Sequence, residues 1–472
     1  MTSMPLRKFD LVIVGAGSGG LTAAGFAAQL GAKVALVEKN RIGGDCTWTG
    51  CVPSKALLKV ARVAHEVRTA SRFGISTSPP VVEMAHVRAH VRHAIEQVYQ
   101  FESPEELQKR GIEVILGAGN FINAQTIRVG EQLVRGRAFL ITTGARPRIP
   151  SIEGLRDVPF LTYEQIFDND RLPRSMIVIG GGPIGMEMAQ AYRRLGADVS
   201  LVADRLLPKD EPEAREVMRH VFEREGIRFV WGRAKSVRKQ NDEIVVGTDG
   251  EQVRGDLLLI ASGRQPAVAH LDLEKAGVAY SEKGIPVDAR LRTNVKHIYA
   301  AGDVTGGYQF THFAGWQAFQ ATRNALLPGS SSGITDLVPW VTFTDPEVAH
   351  VGLTEEQARS KFGETVAVYR WEMTHTDRAI CEDDRDGFIK LITKKDGRLL
   401  GVTIVNARAG ETITELIVAM KHGLKVSDLA GAIHAYPTYA TPVQQLAAEM
   451  AIEQTLAGLS RKIIRGISKI VR

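Results

Sequence analysis

Two cysteines carry the strongest chemical signal in the sequence. Cys46 and Cys51 lie in the string Gly43-Gly-Asp-Cys46-Thr-Trp-Thr-Gly-Cys51-Val-Pro-Ser-Lys55, with four residues between them. The chain has three cysteines in all, too few for a secreted disulfide scaffold. In a reducing cytoplasm, the compartment this usage points to, a close pair indicates redox catalysis or metal binding. Zinc needs four ligands, and no second Cys/His cluster stands at a suitable spacing. A redox dithiol needs a stabilised thiolate instead. The string leads into a helical stretch whose N-terminus, beside Cys51, lowers a thiol pKa, and Lys55 adds a positive charge one turn later.

Such a pair must be supplied with electrons, and the elements around it indicate how. An apolar strand over 10–14 runs into Gly15-Ala-Gly17-Ser-Gly19-Gly20, then a helix of small residues to about Leu30, then a strand over 33–37 ending in Glu38. This strand–turn–helix–strand–acid order is the context a dinucleotide fingerprint requires. Gly15 permits the tight turn, Gly17 lets backbone approach a diphosphate, and Gly20 lets helix and strand pack closely. The helix N-terminus favours the anion. Glu38 is placed to accept hydrogen bonds from a ribose. The unit then recurs as a strand over 175–179, the turn Gly180-Gly-Gly182-Pro-Ile-Gly185, a helix over 186–195 and a strand over 198–202. Two fingerprints in one chain imply two dinucleotides, the arrangement that moves a hydride from one to the other.

With these motifs in view, the Cys46–Lys55 string resembles the active site of the FAD-dependent pyridine nucleotide–disulfide oxidoreductases. That family includes dihydrolipoamide dehydrogenase, glutathione reductase and mercuric reductase, and the resemblance spans about residues 8–450. It implies FAD, and NADPH or NADH, as cofactors. It makes Cys51 the thiolate facing the flavin and Cys46 the interchange thiol that meets the substrate. Lys55 would approach the flavin and pair with Glu187. Gly119 would contact adenine, and Thr142-Thr143-Gly144 would close the first FAD segment. The stretch from Thr293 through Ile298-Tyr-Ala-Ala-Gly-Asp303 is similar to the second FAD motif, with Asp303 on the ribitol. Gly263, in Ala261-Ser-Gly-Arg264, would border the nicotinamide nucleotide.

The choice of nicotinamide stays open. Glu38 stands 18 residues beyond Gly20, and the same count from Gly185 reaches Ala203, which offers no carboxylate. Asp204 follows and favours NADH, as does Gly185 within the family. Arg205 and Lys209 favour the 2′-phosphate of NADPH.

The chain departs from the family's disulfide reductases near its end. Their His-Pro-Thr string, with a glutamate five residues after the histidine, is replaced by His434-Ala-Tyr436-Pro-Thr-Tyr-Ala-Thr441. Tyr436 takes the histidine position and Thr441 the glutamate position. A phenol titrates near ~10 and accepts protons poorly at neutral pH, so both Tyr436 and His434 are candidates for acid–base work. The tyrosine, together with Arg378-Ala-Ile380 leading into Gly387-Phe-Ile-Lys-Leu391, is similar to mercuric reductase. The sequence ends Lys469-Ile-Val-Arg472, however, where that enzyme carries a vicinal cysteine pair. Cys381 reads as incidental.

The expected fold is α/β, with two Rossmann-like dinucleotide-binding domains and a C-terminal α+β dimerisation domain. The first FAD-binding part spans 1–153, the NAD(P)-binding domain 154–272, the second FAD-binding part 273–338 and the dimerisation domain 339–454. A basic amphipathic tail occupies 455–472. A chain of 472 residues is too long for one core, and 44% apolar with 24% charged residues is ordinary for a globular protein. The net charge of +6 owes five units to Arg461, Lys462, Arg465, Lys469 and Arg472, so no body-wide basic footprint suggests nucleic acid. In the tail, Leu456, Leu459, Ile463, Ile467 and Ile470 recur at helical spacing opposite those charges. Peripheral contact with the inner membrane face is one reading, and packing on its own dimer the plainer one. His86, His90 and His93 share a helix face without a carboxylate to complete a metal set, so no metal site is assigned there.

The leading expectation is a homodimeric FAD enzyme that passes electrons from NAD(P)H through Cys46–Cys51 to a thiol-reactive acceptor, either a metal ion or a small electrophile or disulfide. The alternatives are a dihydrolipoamide dehydrogenase-like disulfide reductase, a membrane-associated NAD(P)H:quinone-type reductase, and a non-enzymatic FAD-holding interaction protein.

Overall fold

A computed structural model describes residues 6–456, and the basic tail beyond Leu456 lies outside the described residues. Contacts divide the chain into two units, one from Met1–Asp204 with Ile227–Thr335 and the other from Arg205–Gly226 with Asp336–Arg472. No described helix is long and apolar enough to cross a membrane.

The first unit holds a seven-stranded sheet. Leu6–Val14 lies at its centre, paired in parallel with Val34–Glu38 on one side and Gln132–Ile141 on the other. Ile112–Leu116 extends one edge, and the antiparallel strands Thr126–Val129 and Gly119–Asn123 extend the opposite one. The central strand is apolar at every position from Leu11 to Val14 because both of its faces are covered. Val12 and Val14 point into one core with Phe121 and Phe139, and Leu11 and Ile13 into another with Ala23, Ala24 and Ala27 of the helix Ser18–Gln29. Those alanines let the helix lie close on the sheet.

A second sheet of the same unit runs Arg228–Trp231, Asp198–Ala203, Ser175–Ile179, Leu257–Ile260, all parallel. At the ends of its strands it repeats backbone bonds of the first. The amide of Gly15 donates to Val37 O at 2.8 Å and that of Gly180 to Val202 O at 3.0 Å. Gly117 N donates to Glu38 O at 2.7 Å and Gly232 N to Ala203 O at 3.0 Å. A methyl group at Gly20 would be driven into the Gly15 carbonyl, and one at Gly185 into the Gly180 carbonyl. Each fingerprint helix therefore approaches its turn more closely than any side chain allows.

In the second unit, five strands form an antiparallel sheet in the order Trp340–Thr342, Glu347–Gly352, Leu399–Asn406, Phe388–Lys394, Val366–Glu372. The helices Ala409–Lys421 and Thr441–Leu456 supply Ile413, Leu416, Val443 and Leu446 to the core on that sheet. The segment Arg205–Gly226 joins this unit through buried polar groups. Lys390 is 2% exposed and meets Glu211 at 3.2 Å, Glu213 at 2.6 Å and Glu355 at 2.8 Å. Trp340 Nε1 donates to the buried Asp210 at 2.8 Å.

Candidate active site

The parallel strands of the first unit end beside a cavity of about 890 Å³, at the upper end of the ~300–1,000 Å³ usual for small-molecule sites. Its lining includes Gly15, Gly17, Glu38, Gly119, Thr143, Gly144, Asp303 and both Cys46 and Cys51. The residues expected from sequence to hold FAD thus converge on one space with the redox pair. Two features fit a diphosphate. The helix Ser18–Gln29 has no side-chain cap, and no acid stands in its first turn. Its N-terminal amides and dipole are thus left to receive an anion rather than satisfied by a side-chain cap. Glu38 is buried, its carboxylate accepting from Ala16 N and Asn40 N at 2.8 Å each.

Arg264 is a member of this site that the sequence did not single out. Its guanidinium lies 2.5 Å from Asp45 and 3.1 Å from Asp303, above the Tyr163 ring at 5.2 Å. Burial opposes its charge, but Asp303, Tyr163 and Asp45 outweigh that effect and raise its pKa. Burial raises the Asp303 carboxyl, against the pull of Arg264. The Arg264 Nε is buried without a protein partner, a donor suited to an oxygen of the cofactor. Tyr163 donates to Asp45 at 3.2 Å, which ties the residue before Cys46 into the same cluster.

The redox string folds into two helices. Cys46 lies in Gly44–Trp48, and Cys51 is the first residue of Cys51–Thr69, which again has no side-chain cap. The Cys51 thiol is pushed down to about 6, first by a hydrogen bond from Cys46, then by Thr311 and the Lys55 charge, with burial acting the other way. Cys46 is raised above the ordinary thiol range by its hydrogen bond to Cys51 and by burial. The pair therefore holds one proton on Cys46 and the charge on Cys51. The Thr311 hydroxyl sits 3.1 Å from the Cys51 sulfur, at the start of the helix Thr311–Leu326. Thr311 was also missed from sequence, because nothing local marks a threonine whose partner is 260 residues away. Lys55 Nζ reaches Glu187 Oε2 at 3.1 Å, so the expected pair forms and joins the cysteine helix to the second fingerprint helix.

At the second fingerprint the helix Pro183–Leu195 likewise starts at an uncapped Gly182 with no acid in its first turn, fitting a second diphosphate. Ala203 ends its strand in the register position of Glu38, and Asp204 pairs with Arg233 at 3.0 Å. Gly263 takes a φ of +112° in the turn that delivers Arg264.

Tyr436 and His434, in the second unit, differ sharply in their surroundings. Tyr436 is 70% exposed and donates to Asp377 at 2.5 Å, which raises its pKa and keeps it a proton donor. His434 has both ring nitrogens engaged within its own chain, Nε2 with Glu415 at 2.8 Å and Nδ1 with the Ala432 carbonyl at 3.1 Å. Cys381 is exposed. No group of three or more His, Cys, Asp or Glu suited to a metal occurs among the described residues, and His86 instead meets Glu83 at 3.1 Å.

Comparison with known proteins agrees with this geometry. A family model described as pyridine nucleotide-disulphide oxidoreductase matches residues 9–318, and the family's dimerisation domain matches 338–447. A mercuric reductase of Bacillus cereus is 34% identical over 441 residues, covering 92% of this chain and 70% of the relative. A dihydrolipoyl dehydrogenase of Haloferax volcanii is 35% identical, covering 96% of this chain and 98% of the relative. Among solved structures, the HOCl-induced flavoprotein disulfide reductase RclA from Escherichia coli superposes with a TM-score of 0.84 at 28% identity, covering 93% of this chain and 99% of that one. LpdA from Mycobacterium tuberculosis gives 0.86 at 27% identity, covering 94% and 99%.

Proposed function

The chain belongs to the pyridine nucleotide-disulphide oxidoreductase family, whose members use FAD and NAD(P)H, and on that premise we propose that its Cys46–Cys51 pair delivers electrons to a thiol-reactive metal ion or small electrophile. Residues 1–153 and 273–338 would hold FAD, 154–272 the nicotinamide nucleotide, and 339–454 the dimer contact. FAD, when bound, supplies the two-electron relay between nicotinamide and sulfur.

The chain's own residues set what happens at sulfur. Two electrons and one proton convert the Cys46–Cys51 disulfide into a Cys51 thiolate and a Cys46 thiol. The helix N-terminus, Thr311 and Lys55 hold the negative charge at Cys51, and Glu187 orients Lys55. Cys46 gives up its proton to solvent as its sulfur binds the acceptor, and Cys51 closes the disulfide as two electrons pass to the acceptor, enough for one Hg(II) to Hg(0) or for two Cu(II) to Cu(I). The observation that carries this reading is that Cys46 and Cys51, with the Thr311 hydroxyl 3.1 Å from the Cys51 sulfur, line the same cavity as an FAD fingerprint.

Tyr436 favours a metal ion or electrophile over a bulky disulfide. A thiol leaving group must be protonated by a base–acid that cycles near working pH, and a phenol raised by Asp377 does not cycle there. Copper is a specific candidate, because RclA has been solved as a Cu(II) complex. The dihydrolipoyl dehydrogenase-like reading draws on the relative matched over 98% of its length. The matched dimerisation domain supports a homodimer.

Anaerobic titration with NADH or NADPH, followed by Hg(II), Cu(II), lipoamide and glutathione disulfide, tests the proposal. A long-wavelength band that appears on two-electron reduction and is consumed by the metal ions supports it. Full turnover of every acceptor by Cys51→Ser would sink it.

A further inference from the structure

The internal repeat allows the nicotinamide end to be read from the FAD end. Register makes Val14 equivalent to Ile179, Gly15 to Gly180, Glu38 to Ala203 and Gly117 to Gly232, since the same two backbone bonds at the strand ends recur in each half. Lys39 then corresponds to Asp204 and Ala118 to Arg233. In the first half, Glu38, Lys39, Gly117, Ala118 and Gly119 all line the cavity. The corresponding rim of the second half is Ala203, Asp204, Gly232, Arg233 and Ala234. The carboxylate that would meet a ribose in the first half is replaced there by a buried alanine. A guanidinium absent from the first half stands opposite, 3.0 Å from Asp204.

From this equivalence, and resting on the nicotinamide reading above, we propose that Asp204 and Arg233 form the element that selects between NADPH and NADH. Arg233 is the cation for a ribose 2′-phosphate, with Ala203 removing the carboxylate that would repel it. Asp204 is the acceptor for an unmodified 2′-hydroxyl. With no nucleotide bound, each side chain neutralises the other, at 79% and 58% exposure, where an ion pair is weak enough to be exchanged for a ligand. Selection is thus a competition. A 2′-phosphate must draw Arg233 from Asp204, and a 2′-hydroxyl must draw Asp204 from Arg233.

Calorimetric titration of the FAD-loaded enzyme with adenosine 2′,5′-bisphosphate and with 5′-AMP isolates this end of the nucleotide without turnover. Arg233→Ala should weaken the bisphosphate by about tenfold, with 5′-AMP within about twofold of wild type. Asp204→Ala should shift the ratio the opposite way, tightening the bisphosphate several-fold and weakening 5′-AMP. Both side chains are exposed, and an unchanged flavin spectrum and melting temperature establish that the variants fold. An unchanged ratio in both variants overturns the proposal, as does loss of bisphosphate binding in Arg205→Ala but not in Arg233→Ala. If the wild type binds neither nucleotide and neither NADH nor NADPH bleaches its flavin, the nicotinamide reading itself falls, and the selector with it.

Discussion

At the scale of single residues, the site divides into chemistry that declares itself and chemistry that depends on distant partners. Cysteine has few uses in a chain with three of them, so Cys46 and Cys51 stand out from spacing alone. Thr311 and Arg264 do not, because a threonine at a helix start and an arginine after a glycine have many ordinary explanations. Their meaning comes from folding, which brings Thr311 to the Cys51 sulfur and Arg264 to Asp45 and Asp303. Two expectations follow. Thr311→Val removes a donor to the Cys51 thiolate, so the thiol midpoint should move up from about 6 by roughly one unit. The thiolate fraction at neutral pH should therefore fall, as ultraviolet thiolate absorbance against pH can measure. Arg264→Leu leaves Asp45 and Asp303 facing each other in a buried site. FAD should then dissociate at least about tenfold more readily, read as the Kd for reconstituting the apoprotein.

At the scale of elements, the fingerprint strands and helices were readable because periodicity and glycine spacing are local properties. Ser175–Ile179 forms as its apolar run predicts, and the small-residue helix expected to about Leu30 forms at Ser18–Gln29. What sequence could not show is that Arg205–Gly226 groups with the second unit, since the groups holding it lie more than a hundred residues away. Lys390→Met should cost about 3–5 kcal/mol, because Glu211 would be left 1% exposed without its cation; urea unfolding measures it. Asp210 gives a pH-dependent case. Burial pushes it up to about 6, with the Trp340 hydrogen bond opposing. A raised carboxyl stabilises the fold below its unfolded pKa, and that contribution is lost as pH rises through about 6. Asp210→Asn keeps an acceptor for Trp340 and carries no charge. It should match wild type at about pH 3 and exceed it by about 1–3 kcal/mol at about pH 8. A constant difference at both values would show that the charge is not what is being relieved.

At the scale of the whole molecule, the proposed electron path needs an outlet that one chain does not complete. In the disulfide reductases that the chain resembles, the histidine whose position Tyr436 takes reaches the substrate from the partner subunit, so on the proposed function Cys46 of one chain would work with the partner's Tyr436. This arrangement has a sharp genetic consequence. Cys46→Ser and Tyr436→Phe homodimers should each reduce their flavin with NAD(P)H at the wild-type rate, because neither residue touches the nicotinamide half of the path. Each should be slow toward Hg(II) or Cu(II), the first severely because the attacking sulfur is gone, the second by about tenfold because the phenol no longer positions the acceptor beside Cys46. A mixed dimer of the two variants has one site with both groups altered and one with both intact. About half of wild-type acceptor turnover should therefore return on co-expression with two affinity tags. If the two residues served the same chain, every site in the mixed dimer would carry one defect and turnover would stay at the level of the parents. Recovery to about half places the acceptor site between subunits, and no recovery places it within one.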